Sequence, residues 1–221
     1  MGLNASKVEM ASSGGKKQAQ LEAGNYLGRL VQIVDLGLQA QKPYKGEEKP
    51  PAHRVLFGYE LGTEFMQDED GNDMEDKPRW ISEDFPFHNL KADLAKSTKR
   101  IKAIDPKLEK EGRLGEMLGM PCTVTVVVDT NAKTGKTYVN VGNVTPPMKG
   151  IPVPELKNEA RLFELDEPDM EIWETLPEWI QEKIKGNLEF NGSPLQKALG
   201  IEAKDAPEPS KDEEESDDNP Y

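Results

Sequence analysis

One cysteine, Cys122, stands in 221 residues, so no internal disulfide can form. Its neighbours are apolar and β-branched, a setting that makes it a small buried hydrophobe. The only two histidines, His53 and His88, have no cysteine nearby and no ligand spacing, so no zinc site is predicted. No apolar run approaches the roughly 20 residues that cross a bilayer. The first 20 residues lack the apolar core of a secretory leader, and a cytoplasmic protein without membrane partners is expected. Asp68-Glu69-Asp70-Gly71-Asn72-Asp73 has the wrong glycine spacing for a calcium loop. Thr134-Gly135-Lys136-Thr137 lacks the first glycine of a phosphate loop and sits in a hairpin, away from any helix N-terminus. No nucleophile, base and orienter can be assembled. The chain therefore reads as a binding protein, with no enzyme activity, metal or cofactor predicted.

Charge is plentiful but unevenly placed. The net charge of −13 argues against a polyanion partner only as an average. Residues 1–154 carry 21 Lys/Arg and 21 Asp/Glu, while residues 155–200 contribute −6 and residues 201–221 contribute −7. Within the neutral part, residues 64–76 hold seven acids and no base, which leaves the remainder at +7. Local potential decides where a polyanion binds, so basic surface is available beside two acidic appendages.

The pattern along the chain predicts a polar, flexible arm over 1–22. A strand follows from Tyr26 to Leu38, whose alternation changes phase: Leu27, Val31 and Ile33 share one parity, Leu30, Val34 and Leu36 the other. A strand that bends, bulges or is covered on both faces gives that pattern. After a Pro- and Lys-rich loop, His53 to Leu61 alternates cleanly, with Val55, Phe57, Tyr59 and Leu61 inward. An acidic turn precedes a third strand, Arg79 to Phe87, with Ile81, Phe85 and Phe87 inward. Asn89 is placed to cap a helix carrying Leu90, Leu94, Ile101 and Ile104, and a second short helix falls near Leu114 to Leu118. Cys122 to Val128 and Tyr138 to Val144 then form a strand pair. Four prolines mark a linker over 145–160, Phe163 and Leu165 suit a short extended piece, and a helical turn begins near Glu171 to Trp173. Thr175 with Glu178 fits a capping box ahead of a helix whose apolar face is Leu176, Trp179, Ile180 and Ile184, ended by Gly186.

This order predicts a mainly β fold: a five-stranded OB-fold-like Greek-key barrel with a helix between strands 3 and 4. The expected organisation is an arm (1–22), a barrel (23–150), a Pro-rich linker with a helical extension (151–200) and a disordered acidic tail (201–221). OB-folds bind single strands and oligosaccharides. Single strands are held by a positive groove along the phosphates and by rings on which bases stack. Cation candidates are Lys42, Lys45, Lys49 and Arg54 around the first loop, Arg79, and Lys133 and Lys136 in the last hairpin. Ring candidates are Tyr44 in its basic loop, and Trp80 and Tyr138, which parity places outside the core. The alternative for Trp80 and Tyr138 is packing under the C-terminal helix. Lys96, Lys99, Arg100 and Lys102 either meet phosphates or form a solvated helix face.

The chain ends DEEESDDNPY, acidic from Asp212 to Asp218 save for Ser216, with an aromatic ring beside the free carboxylate. This ending, in Asp217, Asp218, Pro220 and Tyr221, resembles the C-terminal tip of bacterial and phage single-stranded-DNA-binding proteins. Asn219 stands where an apolar residue is common, and Tyr replaces Phe. The stretch ELDEPDMEIWETLPEWIQEKIKGNLEF is also similar to small single-stranded-DNA-binding proteins of tailed phages. The resemblance implies sequence-independent binding of single-stranded DNA in phage replication or recombination, in the host cytoplasm. It also implies a tail that competes with DNA and recruits a phage or host polymerase, helicase or primase. Homo-oligomerisation stays open. Two rivals remain: an acidic DNA mimic that inhibits a host DNA-binding protein, and a phage structural or assembly protein.

Overall fold

A computed structural model describes residues 18–43 and 45–202. Tyr44 and the tail residues Asp217, Asp218, Pro220 and Tyr221 lie outside the described residues. Five long strands, β1 (Gly24–Gln39), β2 (Ala52–Gln67), β3 (Asp73–Pro86), β4 (Pro121–Thr130) and β5 (Thr137–Thr145), lie in the order β3-β2-β1-β4-β5, every neighbour antiparallel. The end strands β3 and β5 approach each other without forming a ladder, so the sheet curls into an incompletely closed barrel. A helix, α1 (Lys96–Ile104), separates β3 from β4. The fold is mainly β and OB-like, as the element order leads one to expect.

The phase change in β1 has a structural cause. The β1–β2 register shifts between Leu30 and Gln32 and again between Asp35 and Gly37. Each interruption adds a residue to one strand and increases its twist. Leu30 and Ile33 consequently enter the barrel, whereas Val34 and Leu36 point to its outer face. At the second shift Gly37 adopts φ 72°, and a Cβ there would lie 2.7 Å from the Asn187 side chain.

Two apolar cores result. The first fills the barrel with Val55, Phe57, Tyr59, Leu61, Phe85, Val124 and their neighbours, and Phe57 meets Phe85 edge-on at 5.1 Å between centroids. Cys122 is buried there, and burial pushes its thiol up to about 12. Ile101 and Ile104 of α1 and Met117 of a short 3-10 helix (Leu114–Met117) pack against this core. The second core lies outside the barrel. There Val34, Leu36 and Leu56 are covered by β6 (Arg161–Phe163), which runs parallel to β1, and by α2 (Met170–Thr175), α3 (Glu178–Lys185) and α4 (Pro194–Ala198). Phe163, Trp173, Leu176, Ile180, Ile184 and Leu195 supply the covering side.

Several local expectations are corrected. The arm is docked from Gln18 onward: Gln18 exchanges two hydrogen bonds with the Gln67 backbone, and Leu21 is buried in the barrel core. β2 and β3 continue into the acidic segment as a long hairpin, because cross-strand pairing outweighs the poor strand propensity of its acids. Asp68 closes the tip by accepting from the backbone N–H groups of Asp70 and Asn72. Helix α1 starts only at Lys96; Asn89 instead accepts from Lys91 N in a turn, and Leu94 is 87 % exposed. Thr175 does not cap α3, since its hydroxyl donates back to Ile172 O. Trp179 leaves the apolar face and is 53 % exposed. The last helix, α4, capped by Ser193, was absent from the sequence expectation.

Candidate nucleic-acid interface

The even-numbered residues of β2 and β3 point away from the barrel core, and the fate of this outer face determines where a ligand can lie. Its end nearest the β1–β2 loop is closed by the helical extension. Asp84 of β3 binds Arg54 of β2 (Nε to Oδ2, 2.9 Å) and Lys183 of α3, tying sheet to helix. Burial works to raise the Asp84 carboxyl, but the Lys183 hydrogen bond and charge, together with those of Arg54, hold it below the ordinary value.

The far part of the face is closed by the linker, which acts as a strap. Glu60 of β2 is 2 % exposed, yet its carboxylate is fully engaged. It accepts from Lys157 N (2.7 Å), Asn158 N (3.2 Å), Asn158 Nδ2 (2.7 Å) and Trp80 Nε1 (3.3 Å). Arg29 of β1 grips the strap upstream, donating to the carbonyls of Pro154 and Val153 and pairing with Glu155, while also holding Gly119 O. Gly62 lets the strap approach, since a Cβ there would meet the Pro154 ring at 2.8 Å. The Arg161 guanidinium lies 5.7 Å from the centre of the Trp80 ring. Trp80 is therefore on the outer face, as parity implied, but it is half-buried beneath the strap rather than beneath a helix.

Each remaining candidate has a definite place. Lys42, Lys45 and Lys49 are exposed on the β1–β2 loop, beyond the Gln39–Ala52 end of β1. Lys133 and Lys136 are exposed in the β4–β5 hairpin, beyond the Gly24–Val126 end of β1. The two cationic loops thus lie beyond opposite ends of that strand and do not flank one open face. Tyr138 is 49 % exposed at the base of the hairpin, paired with Asp129 across the ladder. Arg79 and Trp80 line a cleft of about 290 Å³ on the unlaced side between β3 and β5, with Gln20, Ser82 and Val139. Tyr138 precedes Val139 in β5 and therefore points to the opposite face of the strand, so it does not line this cleft. Arg54 is committed to Asp84. On α1, Arg100 and Lys96 turn to Glu83, and Lys102 pairs with Asp93, so these three cations are engaged within the protein.

The sequence reading missed the strap and its anchors. The available signal was Glu60, an acid inside the otherwise apolar run from Val55 to Leu61, together with Gly62 two residues on. Among the described residues no helix is long and apolar enough to cross a membrane, and no three His, Cys, Asp or Glu residues group as metal ligands. No family model, curated protein or solved structure matches the chain.

Proposed function

We propose that this chain binds single-stranded DNA without sequence preference. The observation that carries the reading is the unlaced β3–β5 side of an OB-like barrel. Arg79, Trp80 and Ser82 line a cleft there with Val139 of β5, the strand that follows the hairpin carrying Lys133 and Lys136. Cations that follow phosphates and rings that accept bases are what a single strand requires. The outer β1–β2 face is filled by the chain's own strap and helices, so the strand runs along the β3–β5 side. The acidic tail, by its likeness to phage single-stranded-DNA-binding proteins, competes for the same cations and recruits a phage or host polymerase, helicase or primase.

Titration with oligo-dT at two salt concentrations tests this. Tryptophan emission should be quenched, and affinity should fall as salt rises because phosphate contacts release counterions. Reversing charge at Arg79, Lys133 and Lys136 should weaken binding and flatten the salt slope. Absence of binding at low salt, even after removal of residues 205–221, would reject the proposal.

One observation favours a second reading. Nine acids between Glu164 and Glu189 are all exposed, against three bases from Arg161 to Lys185. That surface suits a mimic of DNA phosphates directed at a host DNA-binding protein. It calls for the opposite outcome, no oligo-dT binding by the tail-less chain.

A further inference from the structure

We infer that a cleft around Phe87, at the other end of the barrel, receives an unpaired nucleobase; this rests on the single-strand reading above and adds a second contact site to it. Strand parity assigns Phe87 to the core, but β3 ends at Pro86 and the ring is 43 % exposed. Its position is nevertheless fixed, because Phe87 N donates to His53 O at 2.8 Å. The ring stands between two clefts. One, about 370 Å³, is floored by Ile33, Leu114 and Leu162 and edged by Asp35, His53 and Arg54. The other, about 510 Å³, runs past His88 and Lys91. The first falls within the ~300–1,000 Å³ typical of ligand pockets, which are mostly apolar with a few placed polar groups.

Charge selects the occupant. Asp35 and Glu164 lie at the first cleft, so a phosphate is unwelcome there, whereas a neutral base finds a ring, an apolar floor and hydrogen-bonding edges. The phosphates belong outside. Lys42, Lys45 and Lys49 are carried on the loop that leads directly into His53, and Lys91 lies beyond Phe87. A base against Phe87 with its backbone beside these lysines satisfies both halves of a nucleotide. The lysines of the first loop thereby act with Phe87 rather than with Trp80.

The test uses the full-length protein and two fluorescent strands of equal length, one of dT and one of abasic sugars. Base–aromatic stacking of the usual strength makes the expected loss for F87A on dT about 5- to 150-fold, with no change on the abasic strand. F87W should restore dT binding and add a component of emission quenched by dT. The inference is overturned if F87A binds dT as the parent does, if it loses both strands equally, or if the F87W emission ignores saturating dT. Should the parent bind neither strand, the single-strand reading itself fails and this site falls with it. If the parent binds dT and F87A is unaffected, only this site is lost. Should F87A fail to fold, the F87W quenching alone decides.

Discussion

Glu60 is the residue on which the strap depends. Its carboxylate, itself buried, satisfies two backbone N–H groups, the Asn158 amide and the Trp80 indole, in part-buried hydrogen bonds. A buried donor left without its acceptor costs roughly 1–3 kcal/mol. Glu60→Ala should therefore lower the unfolding free energy by at least about that much in a denaturant titration. Tryptophan emission should shift to the red as the strap loosens over Trp80. An unchanged midpoint and spectrum would mean that Arg29 alone holds the strap. Cys122 offers a second residue-scale check. With its thiol raised to about 12 by burial, it should resist thiol reagents at pH 8 and react only on unfolding.

Between elements, the decisive contact is ionic. Helix α1 reaches the sheet through Arg100, whose Nε and Nη2 meet the two Glu83 oxygens at 2.6 and 3.2 Å. Arg100 also binds Asn143 of β5 at 2.9 Å, so one side chain links α1 to both end strands. Lys96 and the Tyr59 hydroxyl complete the Glu83 shell. Breaking such a buried pair from one side costs about 3–5 kcal/mol. Arg100→Met should fall in that range, and the Glu83→Gln, Arg100→Met double variant should recover a substantial part, read by thermal melts. Burial, then the Glu83 charge, raises the Tyr59 hydroxyl well above the usual value, against the opposing pull of Arg100. A raised folded value means that its contribution is intact below pH ~10, where an unfolded tyrosine ionises. That contribution is lost as pH climbs from there towards the folded value. Asp84 has the opposite sign: its lowered carboxyl stabilises the α3 contact above the ordinary carboxylate range, and the benefit drains away as pH falls through the folded value. Amide protection factors in α3, corrected for the intrinsic pH dependence of exchange, should therefore fall in acid and stay unchanged near pH ~9.

At the scale of the whole chain, the charge arrangement predicts a competition. Removing residues 205–221 deletes all of the −7 carried by residues 201–221. Single-strand affinity should then rise at low salt, with the gain shrinking as salt screens the tail. Equal affinity with and without the tail, measured by polarisation at low salt, would rule out competition. The extension behaves differently from the tail. Cutting the chain near residue 152 would bare Val34, Leu36 and Leu56 on the outer face, and the remaining barrel should aggregate.

The sequence by itself determined the succession of five strands along the chain, the helix between β3 and β4 and the inward faces of β2 and β3 up to Phe85. Each depends on near-neighbour periodicity, which alternation and helical spacing record directly. It also placed the bend in β1, because a phase change is visible along one strand. Only the tertiary structure decided what covers the barrel. Glu60 and Lys157 are 97 residues apart, Asp84 and Lys183 are 99 apart, and no local pattern encodes such a meeting. For the same reason the sequence left Trp80 between a stacking platform and packing under the C-terminal helix and read Phe87 as core, whereas the folded chain half-covers the first with its strap and exposes the second by ending β3 one residue earlier. Parity specifies which side of a strand a ring occupies; whether that side meets water depends on segments about a hundred residues away.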